Sequence, residues 1–266
     1  SKAFEDTLES IGDPLLTNSY EPHLITDGRY SLIYTTQELN KSRNFVFVRL
    51  NFEAAGNSLR LIDEISGKVT EKDSGYKVLK NEYAQYIKPD VDLRFYFVPD
   101  ENNSVIFRIS GGIGLPYLNS RSLPFEKSFY AGGSNDLRAF YARTIGPGSY
   151  SEARIQQTGE IKINGNIEYR FDIFKILQGA FFVDAGNVWL THEDENRKGG
   201  KFEWNTYYKE FAIGAGYGFR FNFTFFIFRY DLGYKLRDPT KHENERWESC
   251  LKLFKVTSNF GIGYPF

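Results

Sequence analysis

The stretch Arg121–Tyr150, RSLPFEKSFYAGGSNDLRAFYARTIGPGSY, is too long and too particular in composition for an ordinary connection. It carries Gly132-Gly133, then Leu137-Arg138-Ala139-Phe140, then Gly146-Pro147-Gly148. Glycine pairs and a Gly-Pro-Gly corner supply backbone angles that other residues resist, so the segment is expected to hold one folded shape. What surrounds it decides the fold.

On both sides the chain alternates with a period of two, which marks strands with two different faces. Downstream, Ile161, Ile163, Ile167, Tyr169 and Phe171 oppose Lys162, Asn164, Asn166, Glu168, Arg170 and Asp172. Further on, Phe211, Ile213, Ala215, Tyr217, Phe219 and Phe221 oppose Gly214, Gly216, Gly218, Arg220 and Asn222. Next, Phe226, Phe228, Tyr230, Leu232 and Tyr234 oppose Arg229, Asp231, Gly233 and Lys235, and the chain closes with Val256, Phe260, Ile262, Tyr264 and Phe266 on one face. Gly179–Leu190 is less regular and more apolar. Upstream, strands are expected around Tyr30–Tyr34, Val46–Phe52, Asp90–Phe97 and Val105–Ile113. Residues 1 to 22 read as a polar loop, and Gly56 to about Glu82 as a long charged connection.

About nine strands result, with connections that alternate between short and long. A soluble sandwich also alternates. Two features favour a membrane barrel instead. Arg, Asp, Glu and Lys stand in mid-strand opposite faces rich in Phe, Tyr, Ile and Val, which suits a lipid exterior and a wet lumen. The short connections near Gln37, Asp100, Phe174 and Phe223 would be periplasmic turns. The long ones around Ser66, Asp136, Glu195 and Glu243 would be extracellular loops.

Composition agrees with this class. Of 266 residues 17% are aromatic, yet mean hydropathy is −0.45 and no run of eighteen apolar residues occurs. That excludes a transmembrane helix but not a membrane barrel, whose alternating strands average out as polar. Thirty-three basic residues against thirty-four acidic ones leave a net charge of −1, so no global charge recruits nucleic acid. The lone Cys250 forms no internal disulfide and leaves the redox compartment open. With no Met and no signal peptide, the chain is expected to be a processed protein or a fragment. An odd strand count points the same way, because bacterial barrels close with even numbers and an open edge does not survive in lipid.

The motifs carry a resemblance. Phe129–Gly133, Leu137–Phe140 and Gly146-Pro147 resemble the inward-folded loop of the BamA/TamA superfamily of outer-membrane assembly factors. Gly165–Phe171, Phe182–Trp189 and Gly261–Phe266 resemble that family's following strands, so the match covers roughly residues 23 to 266. Ala139, where most members have Gly, and the Gly-Pro-Gly-Ser-Tyr continuation resemble a TamA-like branch found in Bacteroidetes. The resemblance implies an all-β, antiparallel transmembrane barrel of sixteen strands, of which residues 1–266 are the C-terminal part. The loop, at 118–158, would fold into the lumen between the eleventh and twelfth strands. Residence in the outer membrane of a Gram-negative bacterium follows, with outer-membrane lipids and client outer-membrane proteins as partners. Accessory lipoproteins or an inner-membrane partner are further partners that the resemblance allows.

Gly132, Gly133, Leu137, Arg138, Ala139, Phe140, Gly146 and Pro147 thus form the loop motif. A partly desolvated guanidinium needs carboxylates for its forked donors. Glu168 and Asp184 fall on the polar face of the two strands after the loop, where the family match also places partners for the arginine. Arg138 is expected to bond to one or both. The final strand fits the pattern by which outer-membrane proteins are recognised for insertion, through Asn259, Gly261, Tyr264 and Phe266. Any outer-membrane barrel would end similarly, so this supports location more than activity. The resemblance adds a weak seam between last and first strands.

No catalytic residues, metal site or cofactor are expected. His23, His192 and His242 fall in or beside loops without zinc spacing. The run His192-Glu193-Asp194-Glu195 fits a solvated loop better than a calcium site. The glycines of Gly214-Ala215-Gly216-Tyr217-Gly218 occupy every second strand position and are not a nucleotide loop. The expected function is assistance to the folding and insertion, or translocation, of outer-membrane proteins. A two-partner-type polypeptide secretion transporter and a passive diffusion pore are the alternatives.

Overall fold

The computed structural model describes residues 14–38, 43–67, 77–78, 81–151, 157–223, 225–248 and 256–266. Its main element is a ten-stranded sheet. In chain order the long strands are β2 (Asp27–Thr35), β3 (Phe45–Ala55), β6 (Tyr86–Asp100), β7 (Asn103–Ile113), β9 (Ile161–Phe174), β10 (Leu177–Trp189), β11 (Ala212–Phe223), β12 (Phe226–Arg237) and β13 (Val256–Ile262). They lie in the order β13-β12-β11-β10-β9-β7-β6-β3-β2, so each strand pairs with its neighbour in sequence, and the two-residue β8 (Leu115–Pro116) pairs with β6. From β9 to β13 every pairing is antiparallel. Among the described residues β2 and β13 are each paired on one side only, and the sheet does not close.

The polarity of this sheet is the reverse of a soluble one. On β9 and β10, Asn164, Asn166, Glu168, Arg170 and Asp184 are buried, while Ile167, Tyr169, Phe181 and Val183 are exposed. At the end of the sheet Asp231 and Arg229 are buried, while Phe260 is 67% exposed. A bare apolar face backed by a buried ionic one is stable in lipid and not in water.

The chain divides into two compact units. The first comprises residues 1–31, 50–90 and 112–128. It contains a helix α1 (Pro14–Tyr20), a helix α2 (Asn57–Ile65) and a small sheet in which β5 (Asn81–Tyr83) pairs in parallel with β1 (His23–Leu24) and antiparallel with β4 (Lys77–Val78). These elements correct the expectation of plain loops at 1–22 and 56–82. The small-sheet strands are two or three residues long, too short to display a period. In this unit the loop's first limb is held by Lys127, whose Nζ donates to Glu53 Oε1 at 2.7 Å and Asp27 Oδ2 at 2.5 Å. Tyr86 Oη and Arg29 also donate to Glu53. Tyr20 stacks on Phe125 at 4.4 Å between centroids.

The second unit comprises residues 32–49, 91–111 and 129–266. Gly179–Leu190, read as a less regular and more apolar strand, lies mostly in the continuous strand β10. One further correction falls in this unit. The last strand ends at Ile262: Gly263, at φ +85°, breaks the alternation, and Tyr264 and Phe266 leave the face they were expected to share with Phe260. Phe266 is buried, with Arg108 and Arg138 guanidinium carbons 5.5 and 5.6 Å from its ring centre.

Candidate functional site

The loop's second limb lies against the polar face of the sheet and holds itself together first. Gly132 and Gly133 adopt φ of +94° and +102°, which side chains resist. A Cβ on Gly132 would run into the Tyr141 carbonyl. That turn lets Gly133 N donate to Phe140 O, and Arg143 N to Ala131 O, both at 2.9 Å. Asp136 caps it by accepting from Gly132 N at 2.9 Å and pairing with Lys162 Nζ at 3.0 Å. Burial pushes the Asp136 carboxyl above the usual carboxylate range, against the pull of Lys162. Leu137, Ala139, Phe140 and Ile145 then form a small core with Ala131, Val188 and Ala212.

At the tip, Arg138 is fully buried. Its Nε and Nη2 donate to the two oxygens of Asp184 at 2.9 and 2.8 Å, its own backbone N–H donates to Asp184 Oδ2 at 3.0 Å, and Nη1 donates to Glu168. The forked pairing to Asp184 matches a guanidinium to a carboxylate edge, the strongest geometry available to the two groups. The plane of the guanidinium also covers the Phe182 ring, 3.6 Å from its centre. Asp184 accepts again from Asn166 Nδ2 at 2.8 Å.

The carboxylates are shared more widely than sequence reasoning foresaw. Glu168 accepts from Arg170 Nε at 2.7 Å and Arg220 Nη2 at 3.1 Å; Arg220 Nη1 donates to Asp231 Oδ1 at 2.6 Å. Arg229 lies 3.3 Å from Asp231 and donates to Asn135 Oδ1 of the loop at 2.7 Å. Four arginines (138, 170, 220, 229) therefore face three carboxylates (168, 184, 231) in one buried network. Arg170, Arg220, Arg229 and Asp231 were visible as polar-face residues, but which charges meet depends on a register across four strands.

The loop meets β11, β12 and β13 at positions that lack side chains or supply donors. A Cβ on Gly233 would come within 2.7 Å of Arg138 O and 2.8 Å of Ala139 Cα, and one on Gly214 would collide with the Ala139 methyl. Asn259 Nδ2 donates to Arg138 O and Thr257 Oγ1 to Ala139 O, each at 2.8 Å. Asn259, expected as part of a terminal signal, thus contacts the loop; Gly261 lies against the Arg229 guanidinium, and the Tyr264 ring lies 4.1 Å from the Arg170 guanidinium carbon.

The Gly-Pro-Gly corner is fixed at the end of β10. Gly148 N donates to Val188 O, and Asn187 Nδ2 donates to Gly148 O, both at 2.8 Å; the Gly146–Pro147 peptide is cis. Close by, Trp189 Nε1 donates to Glu210 Oε2 at 2.7 Å, and burial pushes the Glu210 carboxyl up. Glu160 takes hydrogen bonds from Thr191 N and pairs with His192 Nδ1 at 3.4 Å. Burial would raise the Glu160 carboxyl, but its partners hold it below the usual range, and Glu160 in turn raises His192. In the acidic run, Asp194 is engaged with Arg197 Nε at 2.7 Å and with the Asn196 N–H. The groups assembled at the loop tip are acceptors and permanent cations in mutual contact, an arrangement suited to holding a segment in place.

The profile of the Omp85 superfamily domain matches residues 26–266. The outer membrane protein assembly factor BamA of Neisseria meningitidis serogroup B is 28% identical over 187 residues, 63% of this chain and 24% of that protein. The crystal structure of BamA from Haemophilus ducreyi lacking POTRA domains 1–3 superposes with a TM-score of 0.46 at 13% identity, over 90% of this chain and 55% of that one. The chain thus spans about a quarter of the curated relative's length.

Proposed function

Because this chain belongs to the Omp85 superfamily, and so forms part of a bacterial outer-membrane β-barrel, we propose that it assists the folding and insertion, or the translocation, of other outer-membrane proteins. The observation that carries the reading is the docking of Arg138: a loop long enough to reach solvent is instead tied by a buried guanidinium to Asp184 and Glu168. A desolvated ion pair of this kind stabilises modestly and specifies strongly, which suits a part that must occupy one position. In the proposal the loop stands in the lumen as a strut, touching β10 to β13 together, so that the last strand is tied to the loop through Asn259 and Thr257 while its other edge pairs weakly with the first strand of the barrel as a lateral seam. Residues 1–266 are read as the C-terminal portion of the barrel domain. Ala139, which packs against Gly214, and the Gly146–Tyr150 corner are read as the resemblance to a TamA-like branch of Bacteroidetes. Client barrels, outer-membrane lipids, accessory lipoproteins and an inner-membrane partner belong to the proposal, and no enzymatic step is part of it.

Depleting the protein and following heat-modifiable folding of other outer-membrane barrels tests this reading. Accumulation of unfolded clients is expected. Normal client folding, with large steady single-channel conductance of the purified protein, would favour a diffusion pore; loss of one secreted polypeptide alone would favour a two-partner-type transporter.

A further inference from the structure

Helix α2 reverses the usual arrangement of a surface helix. Leu61, Ile62 and Ile65 share one stripe at helical spacing and are 57%, 58% and 78% exposed, whereas Asp63 is 2% exposed. The helix is fixed at its start: Gly56 N donates to Thr26 O at 2.9 Å, the Gly56 turn at φ +77° packs on the Ala84 carbonyl, and Tyr117 Oη lies 2.5 Å from Asn57 Oδ1. Arg60 and Glu64 are tied to each other at 2.7 Å. Three branched apolar side chains are therefore presented outward by a helix that is anchored.

The height of α2 says what covers that stripe. Strand β3 has 11 residues; at about 3.4 Å per residue and a tilt of about 40° it rises roughly 28 Å, close to the ~25 Å apolar band of an outer-membrane barrel. Its bare side carries Leu50 and Phe52 up to that level, in the same compact unit as α2, and only Gly56 separates Ala55 from the helix. The helix therefore starts at the upper end of a lipid-facing strand, at the depth where headgroups meet acyl chains. We propose that α2 lies in the plane of the membrane surface as an interfacial anchor, with Leu61, Ile62 and Ile65 in the bilayer and Arg60 and Glu64 at its polar boundary. This rests on the barrel assignment and is independent of the assembly role.

The test places an NBD label at Ile62→Cys or Ile65→Cys in a Cys250→Ser background, with Ser66→Cys as the polar reference. The barrel is reconstituted in phosphatidylethanolamine/phosphatidylglycerol vesicles and its folding checked by heat-modifiable migration. Expected at 62 and 65 are blue-shifted emission and at least twofold quenching by lipids brominated near the top of the acyl chain, with the label at 66 quenched by aqueous iodide. Iodide quenching at 62 and 65 without lipid quenching would overturn the proposal. So would a label at these sites insensitive to both quenchers, which would mean that protein covers the stripe.

Discussion

Replacing Arg138 with Ala removes two hydrogen bonds from Asp184 and one from Glu168. The two carboxylates are not equally affected. Glu168 keeps Arg170 and Arg220, whereas among the described residues Asp184 keeps only Asn166 and, while the loop stays docked, the backbone N–H of residue 138. Charge-assisted bonds contribute about 1.5–3 kcal/mol each, and breaking a buried pair costs about 3–5 kcal/mol. Because four arginines face three carboxylates, deleting one also relieves an excess of positive charge, so the low end, about 3 kcal/mol, is expected. At ~1.4 kcal/mol per decade that is roughly a hundredfold shift from docked to undocked loop. Hydrogen exchange reads it directly: the bonded amides of Gly132, Gly133 and Arg143 should exchange about a hundredfold faster, while those of β9 and β10 change little. Arg138→Lys should fall between, because an ammonium cannot span both oxygens of Asp184 and still reach Glu168. Exchange at these three amides within about twofold of wild type would refute the reasoning, since the loop would then be held without the Arg138 side chain.

Gly214→Ala should loosen the loop by colliding with the Ala139 methyl, and Ala139→Gly should restore it; Gly233→Ala, which meets backbone, should resist that rescue, as exchange in the same segment would report. Thr257→Val and Asn259→Ala should each cost about 1 kcal/mol of loop docking, by the same assay. Lys127→Met should free the loop's first limb to limited proteolysis, because Glu53 and Asp27 both lose their lysine partner. The Glu160–His192 pair should make thermal stability depend on pH. The lowered carboxyl contributes fully above its ordinary 4.5 and fails as pH falls through its folded value; the raised imidazole contributes fully below its ordinary 6.5 and fails as pH rises through its folded value. His192→Asn should therefore lower Tm near pH 5.5 and leave it unchanged near pH 9; an equal loss at both would contradict the pairing.

How much of this could be read from sequence follows from length and register. The strands β9, β11 and β12 run 12 to 14 residues, long enough for strict alternation to separate Glu168 and Arg220 from Tyr169 and Phe219. Arg138 stood out because an arginine between Leu137 and Phe140 in a glycine-rich loop demands partners. The pairing of Arg220 with Asp231, or of Arg229 with Asn135, demanded the three-dimensional register and left no trace in spacing. Helix α2 escaped notice because its nine residues sit within a charged stretch, and the turn at Gly263 because a single residue ended an otherwise unbroken alternation. Phe266 consequently lies beside arginines where an exposed aromatic was expected.

The most direct test of the account measures two things in the same cells carrying Arg138→Ala in place of wild type: protease access to residues 129–150, and the rate at which other barrels reach their folded form. The account predicts that both change together, an accessible loop and slowed client assembly at an unchanged level of the variant in the membrane. An accessible loop with clients folding at the wild-type rate would contradict it.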